Sequence, residues 1–479
     1  MPADTLLARS DAPQPKVGIV HLGPGAFFRA FGAIYTAEAM QAVGGGWGIR
    51  AVSLRSPDIR DKLAPQGYAY TAVTLAPEGA RREVIEVIKD ILVAPEDPGA
   101  VLRAMADADV KIVSMTITEK GYCHNPATGE LRLDDPDIVH DLAHRAAPRT
   151  APGFLVHALA ARRAAGLPPF TVLSCDNLPH NGALTRRVVL AFAQAFDPAL
   201  AAWIGAEGRF PATMVDRITP ATTAADVVAL AAAAGYTDNG CVMHEPFRQW
   251  VIEDDFVNRQ RPDWNSAGAQ FVQNVAAFET MKLRCLNGTH STLAYLGYLA
   301  GYETIAESMA DPAFAAMIDR LWATEIVPTV PQPEGEDLAT YCAALKARYQ
   351  NPAIRHRTWQ IAMDGSQKLP QRLLGTVADN LALGRPVPCL ALAVAAWMRY
   401  VGGIDEQGCA IEVKDPLAAR LRAALDQASD PAGKVAALLT VQEVFDPELA
   451  GNAAFRAAVT SAYTTLLKKG ARAAVKELT

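Results

Sequence analysis

KVGIVHL, residues 16–22, followed at once by Gly23, Pro24 and Gly25 and then by an apolar stretch over 27–43, is the segment that decides the fold. Its first seven residues are a short aliphatic run rich in β-branched side chains, the pattern of a buried strand. The glycines punctuate it, and the stretch beyond reads as a helix. Strand, glycine turn and helix open a βαβ unit. Gly23 and Gly25 match the first two glycines of G-x-G-x-x-G. The first permits a tight turn, and the second lets the backbone approach a pyrophosphate seated at the start of the following helix, beside Ala26 and Phe27. Phe28 stands where the third glycine would be.

Outward from this segment the alternation continues. Residues 48–54 and 110–117 read as strands, 98–107 as a helix, and 170–174 as a further strand running into the polar turn CDNLPHNG at 175–182. Such alternation predicts an α/β fold: a Rossmann-type N-terminal domain with a mostly parallel sheet over residues 1–275. Beyond about 275 strand-like runs become scarce, and alanine- and leucine-rich patterns predict a mainly α-helical C-terminal domain over 276–479. Residues 254–265 read as the loop crossing between the two, and 328–336 as a proline-rich internal loop. The first fifteen residues, with three prolines, read as a mobile arm, so order is expected to begin at Lys16.

At 479 residues the chain is too long for one ordinary core. Its 50% hydrophobic and 20% charged content fits a well-packed globular protein rather than a disordered one. A net charge of -6 without any concentrated basic stretch argues against nucleic acid as a partner. The N-terminus lacks the layout of a secretory signal and no apolar run is long enough for a membrane span, so the expected compartment is the cytoplasm. The 7 cysteines stand singly and the 9 histidines form no H-E-x-x-H spacing, which predicts neither a disulfide framework nor a metal site.

Chemistry is concentrated in ETMKLRCLNGTH, residues 279–290, which sets Lys282, Asn287 and His290 at spacing K-x4-N-x2-H. At about 100° per residue of an α-helix, Lys282, His290 and Asn287 fall at roughly 0°, 80° and 140° with Glu279 near 60°, on one face. A lone lysine on a helix ordinarily faces water. Here Leu283, Leu286, Leu293, Tyr295, Leu296 and Tyr298 make the surroundings too apolar for that. Burial would lower the ordinary lysine pKa of about 10.4 towards that of a useful acid/base. Redox chemistry on a secondary alcohol needs such a group, donors for the developing alkoxide and a nicotinamide to exchange hydride; Lys282, Asn287 and a second donor meet the first two needs, and His290 is suited to hold the substrate or the lysine by hydrogen bonding. Asn177, in the turn after strand 170–174 at the carboxyl edge of the sheet, is the candidate second oxyanion donor. Glu119 and Lys120 are candidates for the nicotinamide side. At the adenosine end Asp58 suits the ribose of NAD, whereas Arg55 with Ser56 suits the 2′-phosphate of NADP, and both stay open.

Taken in order, IVHLGPGAFFRAFGA (19–33), TITEKGY (116–122), SCDN (174–177), MVDRIT (214–219), EPFRQWVIED (245–254) and the stretch 282–297 closely resemble the long-chain polyol dehydrogenases, the family of mannitol 2-dehydrogenase and the hexuronate reductases. The resemblance implies a zinc-independent enzyme with Lys282 as the acid/base, Asn287 and His290 catalytic, Asn177 completing the oxyanion hole and Glu279 passing protons to solvent. HRTWQIAMDGSQKLPQRL (356–373), with WMRY (397–400) and GIDEQG (403–408), is most similar to the sugar-acid branch. It implies reversible NADH-linked reduction of D-fructuronate to D-mannonate. Lys368 is the first candidate for the substrate carboxylate, because DGSQK matches a substrate-binding lysine of the family. Arg372, Arg355 and Arg357 follow, and Asp216 of MVDRIT is a further substrate candidate. Phe28 and Phe31 depart from histidines common in the family, and His180 stands where a smaller residue is usual. Mannitol, arabinitol or altronate, each with its ketone, are the neighbouring substrates, and a nucleotide-binding sensor without catalysis is the alternative of another class. The expected partner is a small sugar acid or polyol, on a monomer or small homo-oligomer.

Overall fold

The computed structural model describes residues 5–126 and 128–479. The chain divides into two compact units, one running to Ala276 and one from Ala277 to Thr479. In the first unit five strands form a sheet in the order Ile88–Val93, Gly48–Ser53, Val17–Leu22, Ile112–Met115, Thr171–Ser174. Every pairing in it is parallel, as helical crossovers between the strands require. Along Val17–Leu22 the side chains alternate between the two faces: Ile19 joins a core cluster with Phe31, Ile34 and Trp250, while Val20 and Leu22 join another with Phe154 and Phe170. Strand order reverses at Val17–Leu22, which lies between Gly48–Ser53 and Ile112–Met115. The crevice beyond Leu22 and Met115 is therefore the topological switch point at which such sheets take their ligands.

Two smaller mixed sheets complete this unit, ordered Gln270–Val272, Gln249–Glu253, Thr213–Asp216 and Gly79–Ile85, Tyr70–Ala76, Val242–His244. The second unit is helical, and no strand follows Gln270–Val272 among the described residues. Its helices Thr289–Leu299 and Pro388–Tyr400 are buried along nearly their whole length. Three of its segments, Lys282–Gly288, Trp322–Ile326 and Pro370–Leu374, are π-helical. Glu325 in the second of these is fully buried and accepts the N–H groups of Cys389 (2.8 Å) and Leu390 (2.9 Å), so its carboxylate caps the helix Pro388–Tyr400. No helix among the described residues is long and apolar enough to cross a membrane.

Three expectations are corrected. The helix after the glycine turn is not continuous over 27–43: it runs as Ala26–Arg29 and Gly32–Val43, broken at Phe31 with φ -136° and ψ -88°. Two large rings with different seats force the break. Phe28 stacks on His21 at 3.3 Å between ring centroids, whereas Phe31 packs against Tyr35 at 5.1 Å and Trp250 at 5.5 Å. The N-terminal arm is tied down well before Lys16. Leu6 bridges to Thr237, and the Arg9 guanidinium donates to the carbonyls of Gly67 (3.0 Å), Ile88 (2.7 Å) and Glu86. Residues 254–265 fold back on the first unit instead of leaving it. Trp264 is 1% exposed, lies 4.6 Å from Trp250, and donates its indole N–H to Thr36 Oγ1 at 3.1 Å.

Candidate active site

In the first unit the glycine turn is built from beneath. Gly23 has φ +90°, and a Cβ there would stand 2.4 Å from the Thr116 carbonyl oxygen, so only glycine allows the two strand ends to approach. Gly25 differs: φ is -68°, and a Cβ would meet nothing closer than the Gly23 oxygen at 3.9 Å. The space above it is open, which is what a phosphate cradle needs. His21 supports the turn through Ser114 Oγ at 2.8 Å, Thr116 Oγ1 at 3.0 Å and the Gly23 carbonyl at 3.2 Å. Burial pushes its pKa down to about 3, so it is a neutral strut. At the carboxyl end of Gly48–Ser53, Ser56 Oγ donates to the Asp58 carboxylate at 2.9 Å, and both Arg55 and Asp58 are exposed beside the edge of the sheet.

Asp176 organises the other side of the switch point. Its carboxylate accepts the N–H groups of Ile117 (3.0 Å) and Thr118 (2.9 Å) and the Tyr122 hydroxyl (2.7 Å), and Tyr122 Oη lies 2.5 Å from Ser174 Oγ. The TITEKGY and SCDN motifs are thereby fastened to each other. Burial raises the Asp176 carboxyl above its ordinary range in spite of these donors. Sequence reading passed over this residue as part of a turn; an aspartate directly beyond a strand end was the available signal. Asn177, Glu119 and Lys120 are exposed around it. His180 is exposed in the left-handed region at φ +50°, just before helix Asn181–Phe196. Asp216, 4% exposed, ends the strand Thr213–Asp216.

In the second unit the single α-helical face expected for Glu279, Lys282, Asn287 and His290 is not what forms. The helix is α over Ala276–Met281, π over Lys282–Gly288 and α again over Thr289–Leu299. Hydrogen bonds that reach five residues back widen the turn, so Lys282 and Asn287, five apart, come nearer to one side than an α-helical repeat allows. Lys282 is 9% and His290 6% exposed, and Glu279 and Asn287 are half-buried.

A cationic cluster surrounds His290. Its ring lies 5.1 Å from His356 and 4.8 Å from Tyr349, and the Arg372 guanidinium donates to Ser291 Oγ at 3.3 Å. Lys368 Nζ donates to the carbonyls of Met363 (2.5 Å) and Ile361 (3.4 Å). Burial, then the charge of Arg372, pushes Lys368 down to about 8. Burial, then Arg372 and Lys368, pushes His356 down to about 4. His290 is held well below its ordinary value by burial first, then by His356, Arg372 and Arg348. The result is two neutral imidazoles beside two partly desolvated cations. Lys368 and Arg372 thus lie in one cluster with His290, together with His356, Tyr349 and Ser291, which sequence reasoning missed. Arg355 and Arg357 stay outside. The chain alternates there, so His356 points inward while Arg355 is exposed and Arg357 pairs with Glu303 at 2.9 Å on the surface.

Comparison with known proteins agrees with this architecture. The model of the mannitol dehydrogenase Rossmann domain matches residues 17–266, and that of the mannitol dehydrogenase C-terminal domain matches residues 274–467. D-mannonate oxidoreductase of Escherichia coli K12 is 49% identical over 96% of this chain and 95% of its own. Mannitol 2-dehydrogenase of Aspergillus terreus is 40% identical over 95% of this chain and 91% of its own. Among solved structures, Pseudomonas fluorescens mannitol 2-dehydrogenase in ternary complex with NAD and D-mannitol superimposes with a TM-score of 0.85 at 41% identity, covering 99% of this chain and 96% of that one. Substrate-free D-sorbitol dehydrogenase gives a TM-score of 0.90 at 33% identity, with 99% and 98% covered. The glycine turn at a switch point, the parallel sheet and the helical unit carrying Lys282, Asn287 and His290 are accordingly those of a member of the mannitol dehydrogenase family, to which this chain belongs.

Proposed function

We propose that this protein is an NAD-dependent oxidoreductase that interconverts D-fructuronate and D-mannonate, with Lys282 as the general acid/base. The residues at the first unit's switch point fit a dinucleotide: Gly23 makes the turn, Gly25 leaves the backbone open to a pyrophosphate, and Ala26 and Phe27, at the start of the following helix, are assigned to the same group. Asp58, with Arg55 beside it, is assigned to the adenosine ribose, and Glu119 and Lys120 to the nicotinamide side. NAD rather than NADP is favoured because the Pseudomonas fluorescens relative was solved with NAD. Bound NADH supplies the hydride.

The chain's own groups manage the proton and the charge. In reduction, protonated Lys282 gives a proton to the carbonyl oxygen, while the amides of Asn287 and Asn177 donate hydrogen bonds to that oxygen as charge develops. His290, kept neutral by burial, orients the reacting hydroxyl. Glu279, half-buried one turn before Lys282, returns the proton from solvent. Lys368, Arg372 and Asp216 hold the substrate. Oxidation runs the same steps backwards. The enzyme is proposed to act in the cytoplasm, as a monomer or small homo-oligomer.

The observation that carries the sugar-acid assignment is the cluster around Lys368 and Arg372. Arg372 and Lys368 are both withdrawn from water beside neutral imidazoles, and although the carboxylates of Asp364 and Asp415 act on Lys368, none acts on Arg372 among its named neighbours, which favours a substrate carboxylate over a neutral polyol. The 49% identity to a D-mannonate oxidoreductase points the same way. The test is NADH oxidation measured side by side with D-fructuronate, D-tagaturonate and D-fructose. Fructuronate is expected to lead in kcat/KM by about 100-fold or more, the scale of a well-formed charge contact. Parity of fructose would favour a polyol enzyme, and NADH binding without turnover of any of them a sensor.

A further inference from the structure

The helix that carries the proposed catalytic groups changes its hydrogen-bonding period at Lys282 and reverts at Thr289. Such π turns are rare within α-helices and recur at functional sites, so the question is what holds this one. Two buried side chains from other helical segments do. Tyr349, 2% exposed at the end of helix Leu338–Tyr349, donates its hydroxyl to the Leu286 carbonyl at 2.8 Å. Trp322, 3% exposed, donates its indole N–H to the Cys285 carbonyl at 3.1 Å and to Thr289 Oγ1 at 2.8 Å. Both grip the carbonyls immediately before Asn287. The Tyr349 ring is also a neighbour of His290, at 4.8 Å between centroids.

We propose that Tyr349, assisted by Trp322, is a positioning residue of the reaction: its hydroxyl holds the π turn that brings the Asn287 amide to the same side as Lys282. The inference rests on the proposed roles of Lys282 and Asn287. On an α-helix those two stand about 140° apart, at the outer limits of one face, and the wider π turn draws them closer round the axis. Without the hydroxyl the turn is free to relax towards α geometry, and the amide swings away from the lysine. The side chain touches neither substrate nor cofactor in this account; it acts through the backbone of Leu286.

The test is a double-mutant cycle on the full-length enzyme with D-fructuronate and NADH, comparing Tyr349→Phe, Asn287→Ala and the two combined. Tyr349→Phe is expected to lower kcat by about 10- to 100-fold, as small misplacements of catalytic groups do. KM for fructuronate and the Kd for NADH should stay within about twofold and the melting temperature close to the parent's, which separates positioning from general loosening of the fold. The combined variant should be no slower than Asn287→Ala alone, because the tyrosine acts through the asparagine. A parental kcat in Tyr349→Phe, or a combined loss equal to the product of the single losses, overturns the inference while leaving the catalytic assignment standing. A parental kcat in Asn287→Ala removes the catalytic assignment of Asn287 and the inference with it. Should Tyr349→Phe fail to fold, Trp322→Phe, which deletes the other donor, completes the same cycle with the same criteria.

Discussion

The backbones of Gly288 and Arg372 meet so closely that a methyl group on the glycine would stand 2.7 Å from the arginine carbonyl oxygen. Gly288 has helical torsions, φ -62° and ψ -47°, so its lack of a side chain serves space and not conformation. The approach locks one π turn, Lys282–Gly288, to another, Pro370–Leu374, and with it the proposed acid/base to the cationic cluster. Gly288→Ala is therefore expected to push the turns apart, lowering stability by about 1–3 kcal/mol and reducing kcat as well. Urea unfolding with steady-state kinetics on the same preparation checks both, and a stable variant with parental kcat would show the turns to be independent.

Lys282→Ala should lower kcat by about 10²- to 10⁴-fold, the usual worth of a positioned proton donor. NADH affinity should be preserved, since the proposed dinucleotide residues all lie before Ala276. Fluorescence titration of NADH beside turnover measurements would reveal the split, and near-normal turnover would end the mechanism.

Lys368→Met keeps the bulk of the side chain and deletes its charge. The loss of a partly buried charge partner is worth about 2 kcal/mol or more, which corresponds to about a 30-fold fall in kcat/KM for fructuronate. A slow neutral ketose should be unaffected. Equal losses on both substrates would mean that the amine supports the fold instead of the carboxylate.

The two glycines of the turn should fail differently. Gly23→Ala meets the Thr116 backbone at 2.4 Å and violates the torsion at φ +90°, so it should impair folding itself. Gly25→Ala meets only the Gly23 oxygen at 3.9 Å, an ordinary contact, so it should fold normally and lose NADH binding. Thermal melts with and without NADH separate the two, and an undiminished NADH-induced rise in melting temperature for Gly25→Ala would contradict the phosphate assignment.

Much of this was legible in the sequence because it depends on local pattern. The aliphatic run at 16–22 and the glycines after it specify a strand and a turn with no help from distant residues, and the alternation beyond them is enough for a parallel sheet. What escaped was decided by long-range partners. Arg9 is anchored by carbonyls about 60 to 80 positions away, and Trp264 by Trp250 and Thr36, so neither segment could be recognised as fixed from its own composition. The residue types at the catalytic helix were readable, whereas its geometry was not. A 100° periodicity presumes the α repeat, and the departure from it depends on Tyr349 and Trp322 donating from elsewhere. His356 was hidden for a related reason: its two arginine neighbours carried the charge that draws attention, and only the alternation of an extended segment turns the imidazole inward.

Acid should destabilise the protein in a particular window. His21, His244 and His356 are held at about 3, 4 and 4, each by burial first, and His290 is lowered as well. Because their folded values lie below the unfolded value of about 6.5, they cost nothing above that pH. Below it the unfolded chain takes up protons that the folded one refuses, and each group costs about 1.4 kcal/mol per pH unit until its own folded value is reached. Stability from urea unfolding is thus expected to hold near pH 7 and to fall between about pH 6 and 4. His356→Gln should reduce that slope by about one proton, and an unchanged slope would mean that this imidazole already binds its proton in the folded state.

The indoles of Trp250 and Trp264, 4.6 Å apart and inclined by 44° in the core of the first unit, have an optical consequence. Chromophores fixed at that range and tilt couple their transitions, which gives the glycine-turn unit a circular-dichroism signature of its own. Local loosening beneath the turn can then be followed without any attached dye.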